Sequence, residues 1–466
     1  MIRTTIIVLA TAWVVVDGPS PTPAHTQERA ETHELTRLLA IADTANAEIA
    51  TARHAANAAL ARVPQAGALP DPTLGVGFMN VPVAEPGLRG DMMTMMQIQL
   101  GARLLWPGKL SVAEDVARLR AEAAAWEVQR VRDRVAAEVE VAYYRIFFVE
   151  RALEVTRRNE TVLGDFAELT STRYGVGVGG QSDVLKAQVE RTRLTEQVIG
   201  LEERREAELA RLEALLGGPM DAVLAADELP ERVRMAATVG ARDGPRFESS
   251  ALSDLFPGDL AEGDPSITAG AGSRVAGTLP TVADLQALAL DHSPMIQAEL
   301  RRIAAQERSV ALARKASLPD FAVTAGYSRR AGLSDFFNVM VSAPVPIFAG
   351  RKQSQGVVEQ SAVLDERRAR HREMVDGLNA EIASLVAELR RAREQIVLLD
   401  AGILPQARAG LSSTTSAYRV GGVDFLSLLD AQVTLYRHEL DQHRLVTDFA
   451  QNLAALERAV GTEVLR

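Results

Sequence analysis

The chain has no cysteine. That absence excludes disulfides, thiolate metal sites and a cysteine nucleophile. It also excludes an acylated N-terminal cysteine, so any membrane attachment must come from the fold itself. Aromatics are scarce, at 5%, although 47% of the chain is hydrophobic. Basic residues are in deficit, 51 against 61 acidic, for a formal net charge of −10. No basic patch dominates, so nucleic acid is not an expected partner. An acidic chain is compatible with cationic cargo, although surface charge also serves solubility. Catalytic signatures are missing too. There is no HExxH pair, phosphate loop or nucleophile elbow. The glycine-rich stretch 175–180 lacks the Lys and Ser/Thr of a phosphate loop. The seven histidines are scattered, and His438 and His443 are spaced poorly for one helical face. No catalytic residue, cofactor or metal site is assigned, and the chain is not expected to be an enzyme.

Long apolar runs are also lacking. The longest, Ile6 to Val16, is 11 residues and too short to span a bilayer comfortably. Arg3 precedes it, Asp17 to Pro23 break it, and Thr22-Pro23-Ala24 offers a cleavage site. Residues 1–24 therefore read as a secretory signal peptide, with an N-terminal anchor as the alternative. With no run of 18 apolar residues elsewhere, a membrane could be crossed only by strands.

What is present is a duplication with a period of roughly 245 residues, too long for a solenoid. Leu69-Pro70-Asp71 recurs as Leu318-Pro319-Asp320. Asn46-Ala47-Glu48-Ile49 is echoed by Ser293-Pro294-Met295-Ile296. Pro107-Gly108-Lys109 is loosely matched by Ala349-Gly350-Arg351-Lys352. Tyr174 is followed by Asp183, Val184, Leu185, Ala187, Gln188 and Val189; Tyr418 is followed at the same offsets by Ser427, Leu428, Leu429, Ala431, Gln432 and Val433. Each half predicts a helix, two strands, a very long helix, a short loop and another helix. Helices are expected near 33–64, 109–173 and 182–216, then near 282–316, 352–417 and 424–461. The expected domains are 25–217 as the first repeat, 218–280 as an irregular inter-repeat segment, and 281–466 as the second repeat. From Gly240 to Pro280, Gly, Pro, Asp and Ser cluster with little periodicity.

The long helices carry a narrow apolar seam. Val128, Val131, Val135, Val139, Ala142, Ile146, Val149 and Leu153 step by three or four. Leu378, Ile382, Leu385, Leu389, Ala392, Ile396 and Leu399 alternate four and three. This is coiled-coil spacing. Residues 109–173 as one helix would reach roughly 100 Å, a length that suits a tube or a spacer. Pro405, after Gly402, should kink or interrupt the second long helix.

Four segments alternate with period two, near 72–80, 95–106, 319–329 and 336–348. Leu74, Val76 and Phe78 interleave with glycines; Ile98, Leu100, Ala102 and Leu104 interleave with Gln97, Gln99, Gly101 and Arg103. Phe321, Val323, Ala325 and Tyr327 repeat the pattern, as do Val339, Val341, Ala343, Val345 and Ile347. A soluble half-buried sheet would give the same signature. The signal sequence, the hairpin placement and the strand length favour membrane-spanning strands. Four strands cannot close a barrel, whose smallest membrane examples have about eight, so oligomerisation is expected, and three copies would supply about twelve.

Signal peptide, duplicated halves, paired strands and very long helices together resemble the TolC family of outer-membrane efflux proteins. The resemblance covers nearly the whole chain after the signal, apart from residues 240–280. It rests on Leu69-Pro70-Asp71-Pro72, Trp106-Pro107-Gly108-Lys109, Leu318-Pro319-Asp320 and the two Tyr-centred loops. Met92-Met93-Thr94-Met95-Met96, Leu404-Pro405-Gln406 and the Asp424-Phe425-Leu426 to Asp430-Ala431-Gln432 stretch look most like the heavy-metal-efflux (CzcC-like) branch. The implied fold is mainly α with a small β part. In a homotrimer the four strands of each chain complete a twelve-stranded barrel above a long α-helical periplasmic tunnel. The implied function is a passive outer-membrane exit duct of a tripartite efflux system, carrying small solutes or heavy-metal cations. Its partners would be a periplasmic adaptor, an inner-membrane RND-type transporter and outer-membrane lipid. The alternatives are the outer-membrane component of type I protein secretion, or a periplasmic coiled-coil adaptor or scaffold.

The resemblance also assigns residues. Val176-Gly177 and Val420-Gly421 correspond to helical tips that meet the adaptor. Asp183 and Tyr418 correspond to side chains that bond across a closed gate. Asp430 corresponds to one member of an aspartate ring, and Ser427 stands where that ring's second carboxylate lies. Val423 replaces an arginine that locks the gate in some members, which implies a looser latch. Threefold symmetry would gather like carboxylates in a wet neck that favours cations and repels anions. The bland alternatives are a helix N-cap for Asp183 and a solvated helix position for Asp430. The methionine cluster could suggest soft copper(I) ligation, but strand alternation splits it between two faces, and packing is the expected role.

Overall fold

The computed structural model describes residues 33–81, 93–219, 226, 228–238 and 279–465. The proposed signal peptide, Met92 and nearly all of 240–280 lie outside the described residues. Each half opens on a broken helix. The single helix expected near 33–64 is two, α1 (His33–Ala45) and α2 (Ala47–Gly67). Asn46 makes the break: its Oδ1 accepts from Glu48 N and Ile49 N, capping α2, while its Nδ2 donates to Leu215 O at 2.8 Å. The helix expected near 282–316 is likewise divided, into α6 (Val282–His292) and α7 (Pro294–Lys315). Ser293 is forced into an extended conformation by the proline after it, which starts α7 at its first turn.

After α2 come β1 (Thr73–Met79) and β2 (Met95–Leu104), then α3 (Lys109–Gly175) and α4 (Gln181–Leu216). The second half supplies β3 (Phe321–Arg330), β4 (Phe336–Ser342) and α8 (Gln353–Leu398). A π-helical turn, Leu399–Ile403, then leads into α9 (Leu404–Arg419), and α10 (Phe425–Val460) follows. Pro405 explains the turn. It cannot donate to the preceding turn and its ring crowds that carbonyl, so the backbone widens just ahead of it. The expected interruption is there, but the rod continues through it. The last strand is shorter than expected. Pro344 and Pro346 have no N–H for a ladder, so β4 ends at Ser342 rather than near 348. The inter-repeat segment is not wholly irregular: α5 (Glu231–Thr238) buries Val233, Ala236 and Ala237.

α3 has 67 residues, which makes it about 100 Å long. It packs along α2, α4, α7 and α10, while α8 packs along α7 and α10. The seam residues explain this. Val131, Val135, Val139, Ala142 and Ile146 of α3 are buried in one cluster with Leu378, Ile382, Leu389 and Ile396 of α8. Each Val, Ile or Leu among them contributes roughly 1.5–3 kcal/mol on burial. No helix among the described residues is long and apolar enough to cross a membrane.

The four strands form one antiparallel sheet in the order β1-β2-β3-β4. The central seam, β2 against β3, joins the two halves of the chain. Register sorts the faces. Leu74, Leu100, Ala325 and Val339 lie in one row, and Val76, Ile98, Tyr327 and Phe337 in the next. Between them, on the opposite face, run Gly75, Gln99, Gly326 and Asn338. The apolar face is uncovered: Val76 is 67% exposed and Phe337 73%. Among the described residues both outer strands, β1 and β4, have an unpaired edge.

A polar knot ties the sheet to the helices at that seam. Lys109 Nζ donates to Asp320 Oδ1 and to Leu318 O, each at 2.7 Å. Trp106 N donates to Asp320 Oδ1 and Arg103 Nη2 to Asp320 Oδ2, both at 3.0 Å. Trp106 stacks on Phe321 at 5.9 Å.

Candidate functional site

The ends of the long helices opposite the sheet carry most of the residues singled out by sequence. α3 and α4 are joined by Val176–Gly180, and α9 and α10 by Val420–Asp424. Reversal within five residues needs left-handed backbone. Gly177 (φ 76°) and Gly421 (φ 79°) supply it. Val178 N donates to Arg173 O at 2.9 Å, and Gly422 N to Ala417 O at 2.8 Å, so both turns close on the preceding helix. The flanking valines are largely exposed, Val176 by 70% and Val420 by 84%.

Tyr418 is buried in the small core at this end, beside Phe425, Leu428 and Ala187. Its ring lies 6.0 Å from that of Phe425. Arg173 joins the two turns. Its guanidinium sits 4.7 Å from the Tyr418 ring centre and its Nη1 donates to Tyr418 O at 2.8 Å. Burial pushes the Tyr418 phenol above its ordinary value; the Arg173 charge opposes this and the Asp183 carboxylate adds to it. Asp183 and Tyr418 are thus electrostatic neighbours within one chain. Arg173 was not singled out by sequence reading. The signal available was only a basic residue in the last helical turn, too common to stand out.

Asp183 is not the N-cap of α4. That position is Gly180, without a side-chain cap bond, and Asp183 lies in the first turn, accepting weakly from Ser182 Oγ at 3.3 Å. A carboxylate there is favoured by the helix dipole. The cap does exist in the second half. Asp424 Oδ1 accepts from Ser427 N at 3.0 Å and Ser427 Oγ at 2.5 Å. These bonds hold the Asp424 carboxyl below its ordinary range. Ser427 is therefore engaged within its own helix. Asp430, one turn on, is exposed, with no hydrogen bond or ion pair among the described residues. Val423 packs against the Tyr418 core.

Elsewhere, Met95 and Met96 are consecutive on β2 and face opposite sides of the sheet. Met93 precedes the strand in a turn rather than sharing a strand face with Met95. Among the described residues no three His, Asp or Glu converge in a way that could hold a metal ion.

The duplicated long-helix architecture with a four-stranded sheet has known counterparts. The curated cobalt-zinc-cadmium resistance protein CzcC of Cupriavidus metallidurans is 21% identical over 448 residues, 95% of this chain and 94% of that protein. The CusC structure, described for conformational changes accompanying folding and transmembrane channel formation, superposes with a TM-score of 0.71 at 16% identity, covering 92% of each chain. The outer membrane protein VceC of Vibrio cholerae superposes with a TM-score of 0.69 at 19% identity, over 92% of this chain and 96% of that one. With residues 38–218 and 285–462 matching the model of the outer membrane efflux protein family, the chain belongs to that family.

Proposed function

We propose that three copies of this chain form a passive exit duct for solutes across the outer membrane. The observation that carries this is the sheet. It has one largely apolar face, an opposite face that carries Gln97, Gln99, Ser328, Asn338, Thr324 and glycines along with Phe336 and Met340, and two open edges among the described residues. A four-stranded sheet of this kind satisfies its edges and hides its apolar face when three copies close about twelve strands in lipid. The duct needs no chemistry and no energy source of its own.

The long helices then form a tunnel, and the glycine turns are its far ends. The exposed Val176-Gly177 and Val420-Gly421 elements supply apolar knobs for a periplasmic adaptor, which links the duct to an inner-membrane RND-type pump. Asp183, Tyr418, Ser427 and Asp430 sit where the tunnel would narrow, with Asp430 free to present its charge to permeant ions. The name of the CzcC relative favours divalent metal cations as cargo, and a neck of acidic side chains suits them.

The test is a planar-bilayer recording on protein extracted from outer membranes. A trimer-sized particle with discrete, cation-preferring conductance is expected. Replacing Asp430 by Asn should lower the cation-to-anion permeability ratio. A particle that never conducts would overturn the duct.

A further inference from the structure

The seam between β2 and β3 is a template for a contact that one chain cannot make with itself. Thr73 opposes Gly101 in the first hairpin, and Ala322 opposes Ser342 in the second. Asp71 stands two residues before Thr73, as Asp320 does before Ala322. The hairpins are therefore equivalent position by position. β1 corresponds to β3 and β2 to β4. At the seam inside the chain, β2 meets β3, with Gln99 opposite Gly326. The equivalent seam is β4 against β1, and these are the two open edges at opposite ends of one sheet. Only another copy of the chain can bring them together.

The polar knot has the same counterpart. Inside the chain, Asp320 takes Lys109, Arg103 and Trp106 N. Its equivalent, Asp71, is exposed and has no ion pair among the described residues. Beyond β4 the connection is one residue longer than the one from Gly101 to Gly108, and it then reaches Gly350, Arg351 and Lys352, whose two cations are also exposed without an ion pair among the described residues. Phe348, two residues before Gly350 as Trp106 is before Gly108, is 72% exposed.

We propose that Asp71 of one protomer is clamped by Arg351 and Lys352 of the next, at the foot of a β4–β1 seam in which Met340 opposes Gly77 of that neighbour. The proposal rests on the trimeric reading above. Charge complementarity and the duplicated geometry choose a second copy as the occupant of these edges. Phe348 would then cover Pro72 of the next protomer, as Trp106 covers Phe321 within one chain.

The absence of cysteine makes crosslinking clean. Two full-length double variants in outer membranes are compared. In Gly77→Cys with Met340→Cys, opposed residues lie about 5 Å apart by Cα, within disulfide reach. An added side chain at Gly77 meets nothing within 4 Å. In Asp71→Cys with Lys352→Cys, a short bismaleimide spans the clamp. Both are expected to yield covalent dimers and trimers, and the single variants none. A disulfide at the strand pair without a clamp crosslink overturns the clamp and leaves the trimer standing. No product from either pair overturns register and clamp together, and the size of the extracted particle then decides whether the trimer falls as well. As a second readout, Asp71→Lys should cut the SDS-resistant trimer severalfold, and adding Arg351→Asp with Lys352→Asp should restore it. A trimer indifferent to Asp71→Lys also overturns the clamp.

Discussion

At the residue scale, two charges carry consequences that composition alone does not show. Arg173 holds the two helical turns together through one carbonyl and one ring. Such contacts are worth about 1–2 kcal/mol together. Arg173→Ala is expected to raise the resting conductance of reconstituted channels severalfold, with Arg173→Lys intermediate because it keeps the charge and loses the planar fork. Unchanged conductance would reduce Arg173 to packing. Glu140 is the second case. Burial pushes it from 4.5 up to about 7, against the pull of Arg232, with Glu457 adding to the rise. Between those values the folded chain holds the proton and the unfolded chain does not. Stability should therefore fall as pH rises from about 4.5 to about 7, by about 1–3 kcal/mol. Thermal melts across that range should show the decline, and Glu140→Gln should flatten it. Arg232 bridges Glu140 and Glu457 from α5. The inter-repeat segment is thereby anchored to both halves of the chain.

At the element scale, the duplication reappears as two equivalent locks. α4 ends on Gly217 (φ 81°), where an added Cβ would lie 2.5 Å from Ala45 O at the end of α1. α10 ends on Gly461 (φ 84°), where it would lie 2.6 Å from His292 O at the end of α6. Both glycines combine left-handed backbone with close approach, so neither feature alone would relieve the strain of a side chain. Gly217→Ala and Gly461→Ala should each lower stability by about 2–4 kcal/mol, read as a lower melting temperature. Gly218→Ala, with open space around it, is the matched control. These glycines were invisible to sequence reading because a helix C-cap glycine looks the same whether or not another backbone lies against it. The breaks at Asn46 and Ser293 were missed for a related reason. Helical spacing of apolar residues persists across both, and only the cap geometry shows where one helix ends and another begins.

At the scale of the whole molecule, the two faces of the sheet should behave as different solvents. Gln97 and Ile98 are neighbours on β2 that point to opposite sides. Ile98→Arg places a charge on the apolar face, at a cost of about 2–4 kcal/mol at mid-membrane depth. It should reduce the amount of trimer recovered from outer membranes. Gln97→Arg should leave assembly intact and shift the reversal potential toward anions. Equal effects of the two substitutions would mean that the sheet has no lipid face. The tips and the sheet lie at opposite ends of α3, so these changes should not alter the response to Arg173→Ala.

Much was legible without coordinates because it is written in periods. Spacing of 3.5 marked the seams of α3 and α8, spacing of two marked the four strands, and the recurring Leu-Pro-Asp motifs marked the duplication. Proline chemistry located the interruption near Pro405, though not its π-helical form. Tertiary structure decided what depends on distance between remote segments. It paired β2 with β3 and left β1 and β4 as edges. It assigned Asp320 to Lys109, turned Ser427 toward Asp424, and set Arg173 on Tyr418. It also ended β4 at Ser342, where alternation continued but the donors did not. Periodicity follows from local backbone geometry, which the order of residues determines. Partner choice follows from where long elements bring their side chains, which that order does not state.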